Sequence, residues 1–140
     1  MLTRVLFALA LICGLAAAVA SAGETKVLAL GIADHEVTQE ELEKGAALKV
    51  PRFNTPALAY VLAGDLEKGD IVVVELFNDN KSLLHNTQTL GEGQAKLLLQ
   101  AGKRGVPAGG WPEGSYHAKL TITRDGKTLI EKTSDQVKFE

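Results

Sequence analysis

Residues 111–124 read Trp111-Pro112-Glu113-Gly114-Ser115-Tyr116-His117-Ala118-Lys119-Leu120-Thr121-Ile122-Thr123-Arg124, and Asp125-Gly126 follows. From Tyr116 on, apolar and polar side chains alternate. Tyr116, Ala118, Leu120 and Ile122 share one side, and His117, Lys119, Thr121 and Thr123 the other. A period of two is that of a strand with one buried and one wet face. Asp-Gly is hairpin chemistry, so residues 127–133 return as the second arm. A two-residue loop would pair Ile122 with Leu129; a three-residue loop with a Gly bulge would pair Leu120 with Ile130. The second keeps more apolar residues inside and is the expected pairing. Val137 and Phe139 finish that strand or extend it beyond a bulge.

Upstream, short segments of the same kind recur between turn residues. Residues 27–32 place Leu28, Leu30 and Ile32 on one face, and 57–62 do so with Leu58, Tyr60 and Leu62. Residues 71–77 are largely apolar on both faces: Ile71, Val73 and Phe77 on one, Val72, Val74 and Leu76 on the other. Segments 82–86 and 94–100 complete the set. The second face of 71–77 needs a cover, from residues 26–56, a partner protomer or a ligand; the chain's own 26–56 is expected. One helix is predicted, over residues 39–44. Thr38 and Glu41 have capping-box spacing, Val37 and Leu42 staple spacing, and Gly45 closes the C-terminus. Seven short strands at roughly ten-residue spacing, with one short helix near the N-terminus, predict an all-β antiparallel sandwich.

The stretch Trp111-Pro112-Glu113-Gly114-Ser115-Tyr116 resembles the L-P-x-G-x-Y turn of bacterial Ig-like and fibronectin type III-like modules, where it opens the penultimate strand. Pro112, Gly114 and Tyr116 match; Trp111 stands where Leu is usual. The specific likeness is six residues long, and the layout of residues 57–139 follows it. The resemblance implies an Ig-like sandwich with a tyrosine corner, in which the Tyr116 hydroxyl bonds to upstream backbone and Trp111 plugs the end of the core. A second reading stays open. Trp111, with Lys103 and Arg104 on the same Gly-rich loop, would form an exposed recognition surface for a glycan or an envelope protein.

The chain has 140 residues, 46% hydrophobic, with a net charge of −2. Residues 1–22 read as a cleaved signal peptide: Arg4, an apolar run from Val5 to Val19, then Ala20-Ser21-Ala22. The run is shorter than the ~20 residues a bilayer span needs. Residues 23–140 then form a single domain that is periplasmic or secreted, with no membrane segment after cleavage. That part is about 39% apolar. Cys13 and Met1 leave with the leader, which excludes disulfides, thiolate chemistry and thioether ligation from the mature chain. Without Arg4, 14 basic residues face 17 acidic ones, a net charge of −3. No basic stripe suggests nucleic acid.

Few residues offer chemistry. Asp34-His35-Glu36 is the densest group of ligand-type side chains, and a metal site built on His35 with Asp34 or Glu36, and with His85 or His117, is the alternative to a binding module. Ser82 and His85 lie three apart, but no nucleophile elbow surrounds Ser82. No catalytic residue, metal ligand or cofactor is assigned. The sequence reads as an exported, non-enzymatic binding or structural module of the bacterial envelope.

Overall fold

The computed structural model describes residues 23–140, so the expected leader lies outside the described residues. The described chain forms β1 (Lys26–Ala33), α1 (Gln39–Glu43), β2 (Ala57–Leu66), β3 (Ile71–Asn78), β4 (Lys81–Thr89), β5 (Gln94–Lys103), β6 (Ser115–Arg124), β7 (Lys127–Thr133) and β8 (Val137–Lys138). Two antiparallel sheets result, β1-β2-β5 and β4-β3-β6-β7, with β8 beside β6. This is an all-β sandwich with one short helix. Its eighth strand, β8, is the far side of an interruption at Ser134, whose N–H and Oγ bond the Ala118 carbonyl and amide at 2.9 and 2.8 Å.

The core follows from register. Ile122, Leu120 and Ala118 of β6 stand opposite Val72, Val74 and Leu76 of β3. All six are fully buried, as is Tyr116. The facing sheet contributes Ala57, Ala59, Val61 and Ala63 from β2, with Leu97, Leu99 and Ala101 from β5. Small side chains on β2 meet large ones on β3 and β6, so the two layers interdigitate.

The hairpin differs from the expected pairing. Asp125 and Gly126 have φ of 52° and 77°, making a two-residue turn in which Arg124 pairs with Lys127. The register then shifts, and Ile122 pairs with Ile130 rather than Leu120 with Ile130. Leu129 is the extra residue of a bulge and is 43% exposed. The bulge lets the tight turn coexist with Ile130 on the core side. A bulge also corrects the reading of β1: Leu28 is the extra residue there, so Val27 joins Leu30 and Ile32 against the core.

The helix forms as its caps require. Thr38 is extended; its hydroxyl accepts the Glu41 N–H at 3.1 Å, and the Glu41 carboxylate accepts the Thr38 N–H at 2.9 Å. Gly45, with φ of 68°, follows the last turn. The cover that residues 26–56 provide lies over β2, not over β3. The Gln100 amide of β5 bonds both the N–H and C=O of Val37, at 2.9 and 3.0 Å, and Lys96 pairs with Glu43. Beneath this segment Leu58 and Leu62, on the outward face of β2, are buried. The reason is Glu75: it interrupts the outward series of β3, whereas the outward series of β2 carries no charge before Leu66.

Among the described residues one carboxylate is fully buried. Asp70, in the β2–β3 turn, takes the Arg124 guanidinium through two 2.8 Å bonds and the Glu67 N–H at 2.9 Å. Arg124 also reaches Thr25 Oγ at 2.7 Å. The end of β6 is thereby tied to the start of the described chain.

Candidate functional site

The corner is a built aromatic cluster. Tyr116 donates its hydroxyl hydrogen to the Pro112 carbonyl, four residues back. Its ring stacks on Phe139 at 3.8 Å, and Trp111 meets both rings edge-on at 6.4 and 6.0 Å. Burial raises the Tyr116 phenol above its ordinary pKa. Trp111 is 6% exposed and donates its indole N–H to the Thr55 carbonyl at 2.7 Å. Gly114 has φ of 128°, and a Cβ there would lie 2.7 Å from the Asp79 carboxylate. Pro112 and Gly114 thus shape the turn that delivers Tyr116.

The exposed surface envisaged from Lys103, Arg104 and Trp111 does not assemble. The Trp111 ring is inside, because Tyr116 and Phe139 offer it edges and Thr55 a carbonyl. Lys103 is exposed, and the Arg104 guanidinium grips both Glu36 oxygens at 2.8 and 2.9 Å. That grip also disperses the Asp34-His35-Glu36 group. His35 instead bridges Asp34 through Nδ1 at 2.8 Å and Glu41 through Nε2 at 2.9 Å. The Asp34 hydrogen bond first, then that of Glu41, raises the His35 pKa, which favours a proton on each ring nitrogen. His35 follows β1, whereas His85 and His117 lie on β4 and β6 in the other sheet. Among the described residues, no three His, Cys, Asp and Glu side chains are grouped to hold a metal ion.

Register brings a different set together, on the outer face of β4-β3-β6-β7. Thr87, Val73, Thr121 and Glu131 form one row across the sheet; His85, Glu75 and Lys119 form the next. Ser82 and His85 therefore share a face, with Glu75 across from His85 and Phe77 across from Ser82. Ser82 Oγ donates to Glu75 at 2.8 Å, so the hydroxyl is turned to a carboxylate rather than to an imidazole.

At one end of this face Phe77 and His117, cross-strand partners, stack at 5.0 Å with 13° between rings. Lys119 lies 5.8 Å from the Phe77 ring centre and 3.6 Å from Glu131. Burial, and then the Lys119 cation, lower the His117 pKa, which keeps the ring neutral at pH 7. The Gln136 amide approaches His117 Nδ1 at 3.4 Å. A cleft of about 380 Å³ opens here between Phe77, Asp79, Asn80, His117, Lys119 and Glu131. An aromatic pair ringed by a cation, carboxylates and amide groups suits a polar partner with an apolar patch. Alternation alone makes His117 a wet residue of its strand; its stacking on Phe77 follows only from the β3–β6 register.

A second concavity, of about 400 Å³, lies between the unpaired edge of β1 and the segment after α1, with Leu30, Ile32, Leu42, Leu48, Tyr60 and Val137 on its walls. Among the described residues no helix is long and apolar enough to cross a membrane. No family model, curated protein or solved structure matches the chain.

Proposed function

We propose that this is an exported, non-enzymatic binding module of the bacterial envelope. It engages an envelope protein or glycan through the outer face of β4-β3-β6-β7. The observation that carries the reading is an asymmetry between the two sheets. Residues 34–56 cover the outer face of β2, whereas Ile71, Val73 and Phe77 of β3 are left half-buried among threonines and charges. An apolar stripe with a polar rim is the make-up of a recognition surface.

Export is supported by the leader pattern of residues 1–22 and by a remaining chain free of cysteine. An Ig-like, fibronectin type III-like sandwich is supported by a three-stranded sheet facing a five-stranded one and by the Tyr116 corner at the start of β6. The reading as a binder rather than an enzyme draws on Ser82, whose hydroxyl is engaged by Glu75.

The test is a photo-crosslinking residue placed at Thr121, in the middle of the open face, or at Lys49, over the other sheet. In living cells the first should give a discrete high-mass adduct with an envelope component and the second none. Absence of any adduct from Thr121 would overturn the reading.

A further inference from the structure

The geometry at the start of the described chain points to a seat for a newly made amino terminus: we propose that the Gly23 α-ammonium, created by removal of residues 1–22, pairs with the Asp65 carboxylate. The proposal rests on the export reading above.

Gly23 has φ of 104°, and a Cβ built on it would lie 2.7 Å from Asp65 Oδ2, 2.9 Å from Cγ and 3.3 Å from Oδ1. The carboxylate is thus laid against the Gly23 backbone, where only glycine fits without displacing it. A backbone nitrogen is about 2.5 Å from the Cβ position of its own residue, so the Gly23 nitrogen is within about 5 Å of Asp65 Oδ2. In the uncut chain that nitrogen is a neutral amide. Cleavage after Ala22 converts it into a cation with an ordinary pKa near 8.

The surroundings fix this approach. Thr25 Oγ donates to the Asp65 carbonyl at 2.6 Å and accepts from Arg124 at 2.7 Å. Asp65 itself holds φ of 54°, uncommon for a residue with a Cβ and retained where neighbours determine it. The other cation near the carboxylate is Lys26, 3.6 Å from Oδ2 with a side chain 59% exposed. So loose a partner leaves the carboxylate able to accept a second positive charge. Leader removal therefore does more than release the domain: it supplies a charge that reinforces the pairing of the first strand with the end of β2.

The full chain, expressed with its leader in a bacterial host and recovered from the envelope fraction, should have the intact mass of a protein starting at Gly23. The α-amine is then titrated by its rate of reaction with an acylating reagent. Its pKa should stand about half a unit above that in Asp65→Asn, so that it reacts about threefold more slowly at neutral pH. Asn tolerates positive φ, so the variant keeps the turn. Adding one alanine before Gly23 should abolish the same difference, and Lys26→Gln should preserve it. A mass that begins elsewhere overturns the export reading and this proposal with it. A chain that begins at Gly23, with equal amine pKa in wild type and Asp65→Asn, overturns the seat alone.

Discussion

Replacing Asp70 with Asn tests the most heavily engaged charge in the molecule. The carboxylate is fully buried and accepts from Arg124 Nε, Arg124 Nη2 and the Glu67 amide. An amide of the same shape must point its NH₂ group either at the guanidinium or at the Glu67 and Arg124 donors, so one approach becomes donor against donor. Breaking a buried pair from one side costs about 3–5 kcal/mol. Arg124 keeps Glu67 at 3.1 Å and a side chain 24% exposed to water, which favours the lower end. We expect a loss of about 3 kcal/mol, which for a domain of this size lowers Tm by roughly 12 °C. Circular dichroism with thermal and urea denaturation at pH 7 measures it. A cycle with Arg124→Met separates the pair from its surroundings and should return a coupling of about 2 kcal/mol. The Arg124 hydrogen bonds hold the Asp70 carboxyl below its ordinary value against the opposing effect of burial. Its contribution is therefore complete above about pH 4 and lost as the pH falls through the depressed folded value. Asp70→Asn should flatten the wild-type acid limb in that range. A loss under about 1 kcal/mol, or a cycle with no coupling, would refute the reasoning.

Three further outcomes follow from the same geometry. Tyr116→Phe removes one buried hydroxyl and leaves the Pro112 carbonyl without its donor, which should cost about 1–2 kcal/mol in urea denaturation while the far-ultraviolet spectrum is unchanged. Trp111 fluorescence should be blue-shifted and protected from acrylamide; an emission like that of free indole would contradict its place beside Phe139. The His35 pKa is raised, so its bridge stabilises fully below about pH 6.5 and is lost as the pH rises through the folded value. Amide exchange in residues 38–44 should accelerate across that rise in wild type and show no such step in His35→Gln.

Strand positions and the helix were legible because each is a local pattern. The alternation of residues 116–123 and the Thr38–Glu41 box need no knowledge of distant chain. Tyr116 could also be read, through a turn signature whose roles are set within six residues, whereas Trp111 stayed open between core and surface because its partners Thr55 and Phe139 are distant in sequence. Pairings could not be read so directly. Leu28 and Leu129 are single extra residues, and a bulge is invisible to a period of two until the partner strand is known. The expected cover lies over β2 rather than β3 because Glu75 stands in the same outward series as Ile71, Val73 and Phe77. The open face was illegible for a further reason: His117 and Phe77 are 40 positions apart, and only the sheet makes them neighbours. Arg104 and Glu36, 68 apart, show the same limit.

The bulges have a consequence for how this protein behaves at high concentration. Three outer strands, β1, β4 and β7, each carry one extra residue against their inner neighbours, and each time it is a leucine: Leu28, Leu83 and Leu129. The fourth, β5, has its Gln100 carbonyl occupied by the Asn86 side chain. A straight, unbroken border is what neighbouring copies need to zip together into fibrils, and a kink of one residue spoils the match of donors to acceptors along it. With no disulfide to hold the monomer shut, these interruptions are the kind of feature that discourages self-assembly, and deleting any of the three leucines is expected to straighten a border that the fold keeps bent.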